Sequence, residues 1–148
     1  MVGGSLLALR GFREATNDVD SIRQLGASVK KAVAQVGERH GLAPRWLNDS
    51  AFAFYPQTLN GEDCTVELDH PRLRVLGAPL QQVFVMKLFA ARAVDIADLT
   101  TIWSECGFES PEQAAKLYFA AFPHLESDEF LVEEIRSIAD RSDLLGRF

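Results

Sequence analysis

Val2-Gly3-Gly4-Ser5, and then, after twelve intervening residues, Asp18-Val19-Asp20, is the stretch on which the fold of this chain turns. Two glycines carry no β-carbon, so their backbone N–H groups stand open to close approach by an anion. Ser5 adds a hydroxyl, and a helix starting there would aim its N-terminal N–H groups the same way. Further on, side chains at i and i+2 of a strand share a face. Asp18 and Asp20 are therefore expected to project together, with Val19 turned to the core. Two carboxylates ~4 Å apart repel by ~4 kcal/mol at an effective dielectric of ~20. A divalent cation removes that cost, and Mg²⁺ is commonly held by one or two carboxylates together with substrate phosphates.

Outward from this stretch the pattern predicts a small mixed sheet packed with helices, followed by a helical tail. The strand feeding Gly3 has at most Met1 and Val2. Ser5 to Leu9 reads as a short apolar helix stopped by Gly11, and Thr16 to Ile22 as the strand that carries the aspartates. From Arg23 to His40, Leu25, Val29, Ala32, Val33 and Val36 recur at helical spacing, which predicts a crossover helix with those residues inward. Gly41 and Pro44 end it. Trp46-Leu47-Asn48-Asp49 opens the next element, with Asn48 or Asp49 placed to cap it. Thr65 to Asp69 and Arg72 to Leu76 read as two strands joined around His70-Pro71. Glu67 and Asp69 are then expected on one face.

Pro79 starts a helix at its favoured first position. Lys87 falls in the middle of that helix's apolar face, where it either snorkels out or meets a buried anion. In an unbroken helix Asp98 would lie ~16 Å from Lys87, so a break near Ala93-Val94 is expected, with Asp95 capping a helix from Ile96 to Cys106. Ser110-Pro111-Glu112-Gln113 forms a capping box for a helix to Phe122, and Ser127 is expected to cap a last helix from Asp128 to about Asp140. The predicted class is α/β, of α+β type, with a core over residues 1–106 and a helical cap over 107–148.

Composition narrows the function classes. Net charge is −6. Residues 1–45 carry seven Lys/Arg against four acids, and the rest carries eight against seventeen. A net positive balance is thus confined to the part with the glycine and aspartate motif, and the acidic whole is a poor nonspecific nucleic-acid binder. Neither a membrane span nor a secretory leader is expected. Cys64 and Cys106 lack metal spacing and fit reduced thiols in a cytoplasm. His40, His70 and His124 are scattered, without the spacing of metal ligands.

The GGS-x12-DVD spacing resembles the signature of the nucleotidyltransferase superfamily, which has a DNA polymerase β-like fold. The similarity is greatest to small bacterial members related to abortive-infection and toxin–antitoxin nucleotidyltransferases. It is carried by Gly3-Gly4-Ser5, Gly11 to Asp20, Trp46-Leu47-Asn48-Asp49, and Met86-Lys87-Leu88 through Asp98, about two-thirds of the chain. The resemblance implies Mg²⁺ or Mn²⁺ on Asp18 and Asp20, with a third acid at Glu67 or Asp69. It implies nucleotide contacts from Gly3, Gly4, Ser5 and Arg13, and catalytic roles for Asp18, Asp20, Lys87 and Asp98. The implied reaction is transfer of a nucleotidyl group from an NTP to an RNA or protein acceptor, with a cognate toxin or antitoxin as a further partner. Two alternatives stay open at this point. One is an inactive member of the fold that binds or regulates a partner, and the other is a small α/β domain whose aspartates are merely exposed.

Overall fold

The structure, a computed structural model, describes residues 1–146. Among them are six helices and two small two-stranded sheets, a mixed α+β class. Contacts divide the chain into two compact units, Met1–Tyr55 with Thr65–Gly77, and Pro56–Cys64 with Ala78–Phe148.

In the first unit, helix α1 (Gly3–Leu9) starts two residues before Ser5, so both glycines lie in its first turn. Leu6 and Leu7 are fully buried beneath it. Strand β1 (Val19–Asp20) pairs in parallel with β2 (Leu47–Asn48), in the register Val19 to Leu47 and Asp20 to Asn48. Val2 forms a single antiparallel bridge to Asp20, its N–H donating to the Asp20 carbonyl at 3.1 Å. The strand is shorter than the expected Thr16 to Ile22. Before it, the Thr16 hydroxyl bonds the Asp18 carbonyl at 3.3 Å and carboxylate at 3.2 Å, a local bond that competes with ladder pairing.

Helix α2 (Ala27–His40) makes the crossover between the parallel strands and ends at Gly41 in the left-handed conformation, φ 64°. It starts four residues after the expected Arg23. Residues 21–25 turn on side chains instead: Ser21 Oγ accepts from the Arg23 N–H, and Asp49 from the Leu25 N–H at 3.0 Å. The expected inward face is also corrected. Only Val33 and Gly37 are buried, while Val29, Ala32 and Val36 are exposed and Leu25 is half-buried outside the helix. Trp46 explains the rotation, because its indole N–H bonds the Val33 carbonyl at 3.0 Å and its ring edge packs on Gly37. A hairpin, β3 (Thr65–His70) with β4 (Leu73–Gly77), completes this unit, with a bulge between Val66 and Leu68.

The second unit is helical. In α3 (Leu80–Ala90) seven consecutive residues, Gln82 to Leu88, are buried. A helix buried all round is a core element rather than a surface one. It packs against α4 (Asp95–Cys106) and α5 (Pro111–Ala121), and α6 (Leu131–Leu145) packs on both of those. Phe84, Trp103 and Phe108 form a triangle of rings, each pair of centroids 5.5 Å apart, and Phe89 stacks on Phe122 at 4.3 Å. Ser110 caps α5 through the Gln113 N–H, and the Gln113 side chain reaches back to the Glu109 N–H at 2.6 Å. The last helix starts later than Asp128, because the Asp128 carboxylate takes the Phe130 N–H into a turn. Among the described residues no helix is long and apolar enough to cross a membrane.

The corner between α3 and α4 is made by Ala91, the one non-glycine with positive φ (49°) among the described residues. A left-handed L-residue costs about 1–2 kcal/mol, of which glycine's greater unfolded-state freedom returns about 0.5–1. Ala91→Gly should therefore raise stability by roughly 0.5–1 kcal/mol, or about 1–4 °C in melting temperature. An unchanged or lower midpoint in thermal and urea unfolding contradicts this account.

Candidate functional site

The first unit brings part of the glycine and aspartate motif together. Gly3 has φ +70°, and a β-carbon built on it meets the Asp20 carboxylate oxygen. A β-carbon on Gly4 would lie 3.0 Å from an Arg13 guanidinium nitrogen and 3.2 Å from the Thr16 hydroxyl. The same hydroxyl is 3.2 Å from Asp18 Oδ1. Two adjacent glycines are thus covered by Asp20 and Arg13 directly, and linked to Asp18 through Thr16. Asp18 is exposed and Asp20 half-buried. Arg13 is oriented by a bond from Nε to the Ala15 carbonyl at 2.9 Å. Ser5 is buried and donates its hydroxyl hydrogen to the Val2 carbonyl at 3.1 Å.

The sequence gives neither Thr16 nor Asn48 a role at the site, Asn48 being expected only as a cap candidate beside Asp49. Thr16 stands two residues before Asp18, the spacing at which a hydroxyl bonds its own chain locally, and that spacing was the available signal. Asn48 lies opposite Asp20 in register and is buried. Its amide closes a local turn, accepting from the Ser50 N–H at 2.9 Å and donating to the Arg45 carbonyl. Asp49 turns toward α2, pairing with Lys30 at 3.3 Å, and the Leu25 N–H holds its carboxyl below the usual range.

Asp18 and Asp20 offer the hard carboxylate oxygens that Mg²⁺ or Mn²⁺ takes, while the space over the glycine pair is occupied by the Asp20 carboxylate, the Arg13 guanidinium and the Thr16 hydroxyl. No group of three or more His, Cys, Asp or Glu side chains is placed to hold a metal among the described residues. The candidates for a third acid are engaged elsewhere. Glu67 Oε1 accepts from Arg10 Nη2 and from the Thr65 hydroxyl, each at 2.6 Å. Those two bonds hold its pKa below the carboxylate range against the opposing effect of burial. Its oxygen also lies against Gly77, where a side chain would collide. Asp69 is 70% exposed, 3.9 Å from Arg74. The bulge at Val66/Leu68 interrupts the alternation that was expected to put both acids on one face.

Lys87 and Asp98 belong to the second unit. The helix does break after Ala90, and the break brings Asp98 back within reach. Lys87 Nζ lies 2.7 Å from Asp95 Oδ1 and 2.7 Å from Asp98 Oδ2, with Lys87 only 4% exposed. Asp95 is not a cap, contrary to expectation. It is the first residue of α4, and its side chain takes Lys87 and the Arg92 Nε, the latter at 2.7 Å, because a buried carboxylate needs cations more than a backbone N–H. Burial alone would raise the Asp95 pKa, but hydrogen bonds from Arg92 and Lys87 override it and leave it lowered. Cys106 is buried, its thiol pushed up to about 12, and so unreactive.

No family model matches this chain, and neither the curated proteins nor the solved structures compared with it give a match.

Three expectations follow from this geometry. Gly3→Ala combines a left-handed backbone with a collision against the Asp20 carboxylate, so it should cost ~2 kcal/mol or more in urea unfolding; a neutral effect would mean the carboxylate does not lie there. Lys87→Met leaves two buried carboxylates short of a cation and should cost about 3–5 kcal/mol. Because the folded Asp95 pKa lies below its unfolded value, its stabilisation is complete above the usual carboxylate range and is lost as pH falls through and below it. Asp95→Asn should flatten that acid limb of the stability profile, and an acid limb identical to wild type refutes the assignment.

Proposed function

We propose that the first unit is a nucleotide-binding site for nucleotidyl transfer from an NTP to an RNA or protein acceptor, with pyrophosphate leaving. The observation that carries this reading is the juxtaposition at the glycine pair: Asp20 against Gly3, with Arg13 and Thr16 against Gly4 and Asp18 bonded to Thr16. Glycine at both positions lets Asp20, Arg13 and Thr16 close onto the backbone, so that their polar groups converge on one spot that a triphosphate would meet. The Arg13 guanidinium offers a fork of N–H donors, suited to phosphate oxygens. Thr16 holds Asp18 in place, and Asp20 is held by the close fit to residue 3. Asp18 and Asp20 would hold Mg²⁺ or Mn²⁺, which when bound supplies a Lewis acid that offsets charge on the phosphates.

A second reading has a specific observation in its favour. Glu67 is tied to Arg10 and Asp69 points to Arg74, so neither is poised to add a third carboxylate. A two-carboxylate site suits an inactive or weakly active member of the fold, one that binds a nucleotide or a partner such as a cognate toxin or antitoxin without turnover.

Titration calorimetry with Mg²⁺ and a nonhydrolysable NTP tests the shared premise. Wild type should bind the nucleotide in a Mg²⁺-dependent way, and Asp18→Ala and Asp20→Ala should each abolish that dependence. Unchanged binding in both variants removes the site. Labelled-NTP turnover on an RNA or protein acceptor then separates the active reading from the inactive one.

A further inference from the structure

Helix α2 presents an apolar seam that its own unit leaves uncovered. On a 100° wheel Val29, Ala32 and Val36 fall within ~60° of one another. All three are exposed, Val29 by 41% and Val36 by 38%. Leu42, just past the helix end, is 44% exposed. The helix is anchored along the adjoining edge only, by Trp46 on Val33 and Gly37 and by Asp49 on Lys30, and it packs broadly on no other helix or strand. A helix of this length is marginal alone in water.

We propose that this seam docks an amphipathic helix of a partner protein whose flank is acidic. Spacing of i, i+3 and i+7 on small, flat side chains is a helix-to-helix seam. The edge opposite Trp46 is bordered by Arg39, with Lys31 further round, and neither has a carboxylate partner among the described residues. Charge is distributed to match: the first unit carries nine Lys/Arg against seven acids, the second six against fourteen. An acidic flank is therefore better tolerated on the first unit than on the second. A second copy's α2 is disfavoured, since each α2 has Lys30, Lys31 and Arg39 against one acid, Glu38. A membrane surface calls for Trp, Phe or Leu along the apolar face, and within α2 the seam has only Val and Ala, Leu42 lying beyond the helix end. A nucleic acid would leave the apolar seam unused.

The inference is independent of the nucleotide reading, and the variants that test it leave Asp18 and Asp20 intact. The probe is a labelled synthetic helix of about 18 residues with Leu at i, i+3, i+4 and i+7 and Glu on its flanks, compared with the same peptide carrying Lys, by fluorescence anisotropy on the full chain. Wild type should bind the Glu peptide saturably and at least about tenfold more tightly than the Lys peptide. Val29→Gln with Val36→Gln should weaken it by about tenfold or more, with circular dichroism unchanged. Lys31→Glu with Arg39→Glu should reverse the preference. Absence of saturable binding overturns the proposal, as does binding indifferent to the two valines. So does a result in which anionic phosphatidylserine vesicles or single-stranded RNA, but not the peptide, depend on those valines, or in which the valines instead support a dimer in sedimentation.

Discussion

Asp20 occupies the space that a side chain on residue 3 would need. This one steric fact ties together features that are separate in the sequence. It makes glycine obligatory at position 3, where the backbone is also left-handed. It sets the start of α1 against the middle strand, because the Val2 N–H bonds the Asp20 carbonyl while the Asp20 side chain covers the next residue. Asp20 is in turn fixed by pairing with Asn48 on its other side. A strand of two residues is too short to hold a carboxylate by its ladder alone; the contacts from both flanks do that work. The candidate site and the packing of the first unit are therefore the same set of contacts.

The second unit depends on a different constraint. Lys87, Asp95 and Asp98 are all buried, and among the described residues no buried side-chain nitrogen or oxygen lacks a hydrogen-bond partner. Such a cluster is not a large source of net stability, since desolvating the charges offsets their attraction. Its effect is geometric. One ammonium can meet two carboxylates from the next helix only if the chain reverses between them, and the left-handed Ala91 is where that reversal occurs. The charged cluster and the unfavourable backbone conformation are two parts of one corner.

The sequence was most legible where one residue acts through its own chemistry. The helix stops at Gly41 and Gly107, the Ser110 cap, the hairpin around His70-Pro71 and the break between Lys87 and Asp98 were all foreseeable from local rules. It was least legible where a distant side chain decides. Periodicity correctly gave a helix in α2 but the wrong buried face, because Trp46 rather than a broad sheet is what the helix rests on. Alternation put Glu67 and Asp69 on one side, and a single bulge undid that, since Arg10 and Thr65 draw Glu67 inward. Asp95 had the right position for a cap, but buried charge outweighed the backbone N–H. At the glycine pair the elements were readable and the contacts were not: nothing in the spacing says that Arg13 and Thr16 meet at Gly4.

The acids of the motif regions now fall into distinct groups by what neutralises them. Glu67 has Arg10 at 2.6 Å, Asp49 has Lys30 at 3.3 Å, and Asp95 and Asp98 share Lys87 at 2.7 Å. A carboxylate already compensated by a protein cation gains little from a metal ion, because the same lone pairs and the same charge are spent. Asp18 differs: its carboxylate accepts from the neutral Thr16 hydroxyl, and it stands exposed. An exposed carboxylate held by a neutral donor keeps its full charge for an outside cation. That distinction is electrostatic and does not depend on family resemblance. It sets Asp18 apart from the acids that protein cations already compensate, and it leaves Asp95 and Asp98 accounted for by Lys87.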